Sequence, residues 1–343
     1  MKRIGNLYDE IISIENLQLA DEKARKGKLR SYGVQLHDKN REANLLQLHN
    51  DLKNQTYKTS KYSIFKIYEP KEREIFRLPY FPDRITHHAI MNILEPIWVS
   101  IFTKDTYSCI KNRGIHAAAK NVKHILRTDN DGTRYCLKID IRKFYPSIDH
   151  DILKMVIRRR IKDKRLLWLL DEIIDSVPTG VPIGNYLSQY FANLYLAYFD
   201  HWLKEVKHVK YYWRYADDIV ILAPNKEVLH ELLHEIRAYL RENLKLKIKR
   251  NYQVFPTNTR GIDFLGYRFF HTHTFLRKSI KKKLFRRVAK LRKRTIRLTK
   301  EVYKQQICSW WGWCKYCDSI NLMSKVQKSI PYEIKFNRTK RKV

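Results

Sequence analysis

The sequence predicts an α+β domain with an antiparallel sheet, followed by a basic helical appendage. Three observations predict this. Segments with apolar residues three to four positions apart are interspersed with short β-branched and aromatic runs. The stretch YYWRYADDIVILAP, residues 211–224, reads as two apolar strands with Ala216–Asp217–Asp218 between them. From residue 271 onward, 22 Lys and Arg stand against 3 acidic residues, a net +19 in 73 residues.

Taken in order, residues 7–27 and 43–54 read as amphipathic helices, as in NLLQLHNDL with its spaced leucines. Residues 62–80 form a β-hairpin with a basic tip at Glu69–Pro70–Lys71–Glu72, and 84–101 return to helical spacing. TRYCLKIDIRKF, 133–144, alternates like a strand and stops at Pro146. Residues 149–176 are helical, with Arg158, Arg159, Arg160, Lys162, Lys164 and Arg165 on one side. VPIGNYLSQYFANLYL, 181–196, leads into a helix over 186–203 whose buried stripe is Leu187, Phe191, Leu194 and Tyr198. A helix over 226–244 and a strand at FLGYRFF, 264–270, follow. KKKLFRRVAKLRKRTIRL, 281–298, wraps cations around a thin stripe of Leu284, Val288 and Leu291, and the aromatic QICSWWGWCKYC packs that segment together.

The whole chain of 343 residues has 69 Lys and Arg against 35 Asp and Glu, a formal net charge of +34. Such a surface repels itself unless a polyanion neutralises it, and nucleic acid is the usual partner because binding releases counterions. A membrane is excluded as a span, since no run of 18 apolar residues exists. The N-terminus MKRIGNLYDEIIS has no apolar signal core, so a cytoplasmic protein is expected. Five cysteines make no disulfide framework, and Cys308, Cys314 and Cys317 lack a fourth ligand at zinc-like spacing. They are expected to be partly buried thiols.

Two acidic sites stand out by their surroundings. Asp140 ends the apolar run CLKI, and Asp217 and Asp218 join two apolar strands. A carboxylate at a sheet surface is costly unless it is paired or binds metal, and adjacent carboxylates repel until a divalent cation relieves them. If the strands are neighbours, Asp140 and Asp217 point at one spot. That is a ligand set for two Mg²⁺ ions about 3.5–4 Å apart, with Mn²⁺ as the alternative metal. A hairpin turn alone would also explain an Asp–Asp pair.

The flanks distinguish these readings. Tyr215–Ala216–Asp217–Asp218 matches the YxDD box of reverse transcriptases. Asp140–Ile141–Arg142–Lys143–Phe144–Tyr145–Pro146–Ser147–Ile148 resembles their first catalytic box, and GIDFLGYRF, 261–269, their closing palm strand. DRITHHAI, 83–90, and CIKNRGIHAAAK, 109–120, resemble finger blocks of prokaryotic members. The boxes stand in the family's order from about residue 60 to 270. The resemblance implies a right-hand polymerase fold: an N-terminal helical extension (1–54), fingers (55–135), a palm (136–270, with finger/palm helices at 149–176) and a basic helical thumb (271–343).

The resemblance also implies roles. Asp140 and Asp217 are the principal metal ligands, Asp218 a looser third carboxylate, and the Ile141 carbonyl an auxiliary ligand. Tyr145 blocks a ribose 2′-hydroxyl and so favours dNTPs. Lys71 and Arg73 clamp the triphosphate, with Arg77 and Arg84 as competitors. Arg250, in KIKRNYQVFP, is the nearest match to the family's lysine near the sugar–phosphate. Arg113 and, on the thumb, Lys281, Lys282, Lys283, Arg286, Arg287, Lys290 and Arg292 contact template RNA and the RNA/DNA duplex, setting affinity and not sequence preference.

In most reverse transcriptases one box reads Gln-Gly, three residues, Ser-Pro. This chain reads Ile183–Gly184, three residues, Ser188–Gln189. That departure resembles the diversity-generating retroelement group, as do IYEPKEREI, DIRKFYPSIDHDIL and QVFPTN. Members of that group copy a template-repeat RNA into cDNA mutated at adenines, with a small basic accessory protein. Ile183 and Gly184 then border the dNTP site. Ile183, Ser188 and Gln189 bear on fidelity, because isoleucine cannot supply a glutamine's hydrogen bonds. Retron, group II-like and defence-associated reverse transcriptases are the alternatives. A catalytically idle RNA-binding protein is disfavoured by the three carboxylates, and an RNA-dependent RNA polymerase by Tyr145.

Overall fold

The structure, a computed structural model, describes residues 2–68, 72–293, 298–330 and 332. Its helices are α1 (Tyr8–Ile12), α2 (Ile14–Ala24), α3 (Tyr32–Asp38), α4 (Arg41–Lys53), α5 (Ile85–Val99), α6 (Ile115–Thr128), α7 (His150–Arg158), α8 (Lys164–Asp175), α9 (Tyr186–His201), α10 (Lys226–Leu244), α11 (Thr257–Arg260), α12 (Lys278–Arg292), α13 (Lys300–Cys314) and α14 (Ile320–Lys328). Its strands are β1 (Ser63–Ile67), β2 (Arg73–Arg77), β3 (Tyr135–Asp140), β4 (Tyr211–Tyr215), β5 (Asp218–Ala223), β6 (Gln253–Pro256), β7 (Ile262–Phe264), β8 (Tyr267–Phe269) and β9 (Thr274–Leu276). The chain divides into two compact units. Residues 1–110, 140–209 and 234–250 make the first, and 111–139, 210–233 and 251–343 the second.

In the first unit α9 lies at the centre. It is buried on nearly every side, so the expected single stripe is too narrow, and Tyr198 is only half-buried, with the Arg159 guanidinium 4.5 Å over its ring. Trp98 of α5 and Phe191 of α9 pack at 5.9 Å between ring centroids, and both are buried. Burying one such side chain contributes roughly 1.5–3 kcal/mol. The N-terminal helices are tied on by the buried Asp21, which accepts from Arg25 at 2.7 Å, Arg41 at 2.6 Å and the Tyr80 hydroxyl at 2.5 Å.

Several expected elements divide. The helix over 7–27 breaks at Ser13, whose backbone leaves the helical region (ψ 146°) while its hydroxyl accepts from Asn16 N–H and starts α2. The helix over 149–176 becomes α7 and α8, because Asp163 caps the second through Leu166 N–H. The hairpin at 62–80 is present as β1 and β2, in register from Ser63↔Arg77 to Ile67↔Arg73. Of its expected tip, Glu69, Pro70 and Lys71 lie outside the described residues.

The second unit holds a four-stranded sheet in the order β4-β5-β3-β6 and a three-stranded sheet β7-β8-β9. FLGYRFF is not one strand. It turns on Leu265 and Gly266, both at positive φ (53° and 83°), so that Phe264 pairs with Tyr267 in a two-residue hairpin. The basic segment buries Leu284, Val288 and Leu291 of α12 against Tyr303, Ile307 and Trp311 of α13, as its spacing predicts. Among the described residues no helix is long and apolar enough to cross a membrane.

Candidate active site

The turn between β4 and β5 is built under strain. Tyr215 pairs with Asp218, leaving only Ala216 and Asp217 to reverse the chain. Ala216 takes the left-handed conformation at φ 53°, which glycine adopts without cost and alanine does not. Arg214, fully buried two residues earlier, donates from Nη1 to the Ala216 carbonyl at 3.2 Å and so props the turn from below. A strained turn held by a buried cation presents Asp217 and Asp218, both half-buried, at the end of the hairpin.

β5 lies beside β3 in the sheet. Lys138 of β3 places its Nζ 3.4 Å from Asp218 Oδ1. Asp140, two residues further along β3, lies on the same face of that strand as Lys138. Within the first unit Asp140 is held by the segment after α10. Its carbonyl accepts from Lys249 N–H at 2.8 Å, Ile141 bridges to Ile248, and Arg142 N–H donates to Lys247 O at 2.8 Å. The Lys249 ammonium stands 2.5 Å from Asp140 Oδ1. That buried oxygen accepts no aligned hydrogen bond. Lys249, not the neighbouring Arg250, thus faces the carboxylate, and Arg250 is exposed.

Among the described residues no three His, Cys, Asp or Glu side chains form a metal-holding group. Lysines neutralise the carboxylates of Asp140 and Asp218 instead. The donor set still suits Mg²⁺. That ion takes one or two protein carboxylates and completes its shell with water and phosphate oxygens, and Asp140 Oδ1 has an acceptor site unsatisfied by hydrogen bonding. Cys308 is exposed and Cys314 and Cys317 are buried, all as free thiols.

The residues expected on the nucleotide side belong to the first unit. Tyr145 opens a short 3₁₀ turn, half-buried, with its ring edge-on to Phe144 at 5.7 Å. Its carbonyl accepts from Val181 N–H at 2.9 Å. Ile183 is half-buried, and its carbonyl accepts from Phe76 N–H of β2 at 2.8 Å. Gly184 sits at φ 127°, and a Cβ there would collide with the Phe76 carbonyl. The room left by this glycine is therefore filled by the chain's own β2. Arg73 opens β2 and is exposed, as is Arg77. Arg84 is half-buried, and desolvation pulls its pKa below the usual arginine value. Ser188 is buried and Gln189 exposed on the first turn of α9. In the second unit Arg113 precedes α6, half-buried. On α12, Lys281, Lys282, Lys283, Arg286, Lys290 and Arg292 are exposed and Arg287 is half-buried.

Sequence reasoning missed Lys138, Arg214, Lys249 and Tyr62. A lysine two positions before Asp140 on one strand face is a signal that was available. Nothing local marks Tyr62, whose hydrogen-bond partners Ser176 and Asn185 are more than 100 residues away.

Comparison with known proteins places the chain in a family. Residues 69–269 match the family model described as reverse transcriptase (RNA-dependent DNA polymerase), which is more than half of the chain. The chain belongs to the reverse transcriptase family. Its α+β architecture is that family's polymerase fold. Protein YkfC of Escherichia coli K12 is 28% identical over 250 residues, covering 59% of this chain and 65% of YkfC. The group II intron-encoded protein LtrA of Lactococcus lactis is 27% identical over 140 residues, covering 38% of this chain and 23% of LtrA. The retron Ec73 reverse transcriptase of Escherichia coli is 28% identical over 201 residues, covering 52% and 60%. The matches thus span under two thirds of each of these relatives.

Proposed function

We propose that this chain is an RNA-directed DNA polymerase, and that it copies a template-repeat RNA into adenine-mutagenised cDNA that diversifies a target gene. The observation that carries the polymerase reading is the Asp217–Asp218 turn on the strand beside the one ending at Asp140, inside the family match. Asp140, Asp217 and Asp218, with the Ile141 carbonyl, would hold the divalent ions, which when bound would supply activation of a primer 3′-hydroxyl and stabilisation of the leaving pyrophosphate. Arg73 and Lys71 hold the dNTP triphosphate, where a guanidinium binds two oxygens at once. Tyr145 excludes a 2′-hydroxyl. Arg113 and the α12 cations bind template RNA and the RNA/DNA duplex through phosphates.

The diversity-generating reading rests on Ile183–Gly184 and Ser188–Gln189, and it brings in a small basic accessory protein and a cytoplasmic setting. The relatives LtrA and Ec73 favour a second reading, a group II-like or retron enzyme. Primer extension on a mixed-base RNA, with Asp217→Ala as the inactive control, tests both levels. No Asp217-dependent cDNA sinks the polymerase reading. Deep sequencing of the cDNA, made with the accessory protein present, then decides the subgroup. Errors concentrated at template adenines support diversification, and a low, flat spectrum favours the second reading.

A further inference from the structure

The stretch from Gly180 to Asn185 touches two parts of the nucleotide side at once. At one end Val181 N–H donates to the Tyr145 carbonyl at 2.9 Å, and a Cβ on Gly180 would stand 2.6 Å from Pro146 Cα and the same carbonyl. His150 Nε2 fixes the Gly180 carbonyl at 2.7 Å. At the other end the Ile183 carbonyl accepts from Phe76 N–H at 2.8 Å, with Gly184 pressed on the Phe76 carbonyl. Pro182 lies between, and its ring removes the φ freedom that would let the ends move independently.

A third group seats this stretch. Asn185, buried at the head of α9, donates from Nδ2 to the Tyr62 hydroxyl at 2.9 Å. The Ser176 hydroxyl donates to Ile173 O at 2.6 Å, so the Tyr62 hydroxyl is the donor in its 2.8 Å contact with Ser176 Oγ. Tyr62 immediately precedes β1, and its ring meets Phe76 edge-on at 5.7 Å. One hydroxyl therefore joins the hairpin base, the end of α8 and the start of α9.

We propose that Gly180–Asn185 is a strut coupling the β1–β2 hairpin to Tyr145, and that Tyr62 is the positioning residue that sets it. Sugar selection at Tyr145 is then governed from the hairpin that carries Arg73. This rests on the polymerase reading above for the roles of Tyr145 and Arg73, but the coupling itself is a property of the fold.

The test is Tyr62→Phe, which keeps the ring against Phe76 and removes the hydroxyl, beside Ser176→Ala and the control Tyr32→Phe, whose side chain is exposed. Two readouts are taken on the full chain. Hydrogen exchange needs no catalysis. Amides of 180, 181, 183–185 and 73–77 are expected to exchange faster together in Tyr62→Phe and Ser176→Ala, and as wild type in Tyr32→Phe. Primer extension with dNTPs and rNTPs is expected to show discrimination falling roughly threefold to tenfold in the first two variants, the worth of one hydrogen bond. The loss should lie in KM for the dNTP, with kcat nearly kept. Unchanged exchange overturns the strut whatever the activity. Faster exchange with unchanged discrimination overturns its link to nucleotide choice. A wild type that extends no primer overturns the polymerase reading and leaves the exchange result to judge the strut.

Discussion

The Lys249 ammonium lies 2.5 Å from Asp140 Oδ1, and the same residue's N–H donates to the Asp140 carbonyl. One lysine therefore grips the strand end by its backbone and neutralises its carboxylate by its side chain. A divalent ion approaching Asp140 competes with that ammonium. Both side chains are about one-third exposed, so the pair is worth at most about 1 kcal/mol. Lys249→Ala should lower the Mg²⁺ concentration giving half-maximal extension by up to about fivefold. An unchanged or raised requirement in a Mg²⁺ titration would show that the ammonium does not compete with metal.

The Ala216 conformation predicts a trade between stability and activity. A left-handed alanine costs about 1–2 kcal/mol, part of which glycine returns as unfolded-state entropy. Ala216→Gly is expected to raise Tm by about 2 °C and to slow extension, because the turn presenting Asp217 loosens. A lower Tm by thermal melt would show that the turn is not strained as described.

The readable part of this chain was local. The Asp217–Asp218 turn announces itself because two acids interrupt a stretch of mostly apolar and aromatic residues, and Asp140 because it ends the apolar run CLKI. The hairpin and the α12 stripe follow from period and spacing alone. What escaped depends on contacts distant in sequence. Gly184 is expected to border the dNTP site, yet the space a Cβ would take there is filled by Phe76, 108 positions earlier. The Tyr62–Asn185 bond spans 123 positions. FLGYRFF misled because Leu265, a residue that ordinarily avoids positive φ, shares the turn with Gly266.

His88 stacks on Tyr186 at 4.4 Å, with its Nε2 buried and unbonded. Burial first, then the nearby Arg84, Lys23 and Lys28, push its pKa down to about 4. In the unfolded chain it titrates near 6.5. Below pH 6.5 the unfolded state binds the proton and the folded state does not, so stability falls as pH drops from about 6.5 to about 4. His88→Phe keeps an aromatic ring against Tyr186 and removes the titration. Its acid-unfolding midpoint should move to lower pH. A midpoint equal to wild type would mean that other groups govern acid stability.

The exposed cations of α12 predict a salt signature. Each phosphate neutralised adds about 0.9 to the slope of log affinity against log salt on a B-form duplex. Replacing Lys282, Arg286 and Lys290 together by Ala should reduce the slope for an RNA/DNA duplex by roughly 2–3 and weaken all sequences alike. Fluorescence anisotropy across a salt series measures it. A sequence-selective loss, or an unchanged slope, would remove α12 from the duplex interface.

Ile183 supplies the last prediction. Its carbonyl is committed to Phe76 N–H, so changing the side chain leaves the strut's backbone in place. A glutamine there adds a donor and an acceptor beside the proposed nucleotide site. If that side chain orders the base and sugar of the incoming dNTP, right and wrong pairs separate further in energy, and about 1.4 kcal/mol changes the error rate tenfold. Ile183→Gln should therefore lower misincorporation at template adenines by up to about tenfold, with little change opposite other bases. Sequencing of cDNA copied from a mixed-base RNA reads this directly. Equal error spectra for the two proteins would assign Ile183 to packing against β2.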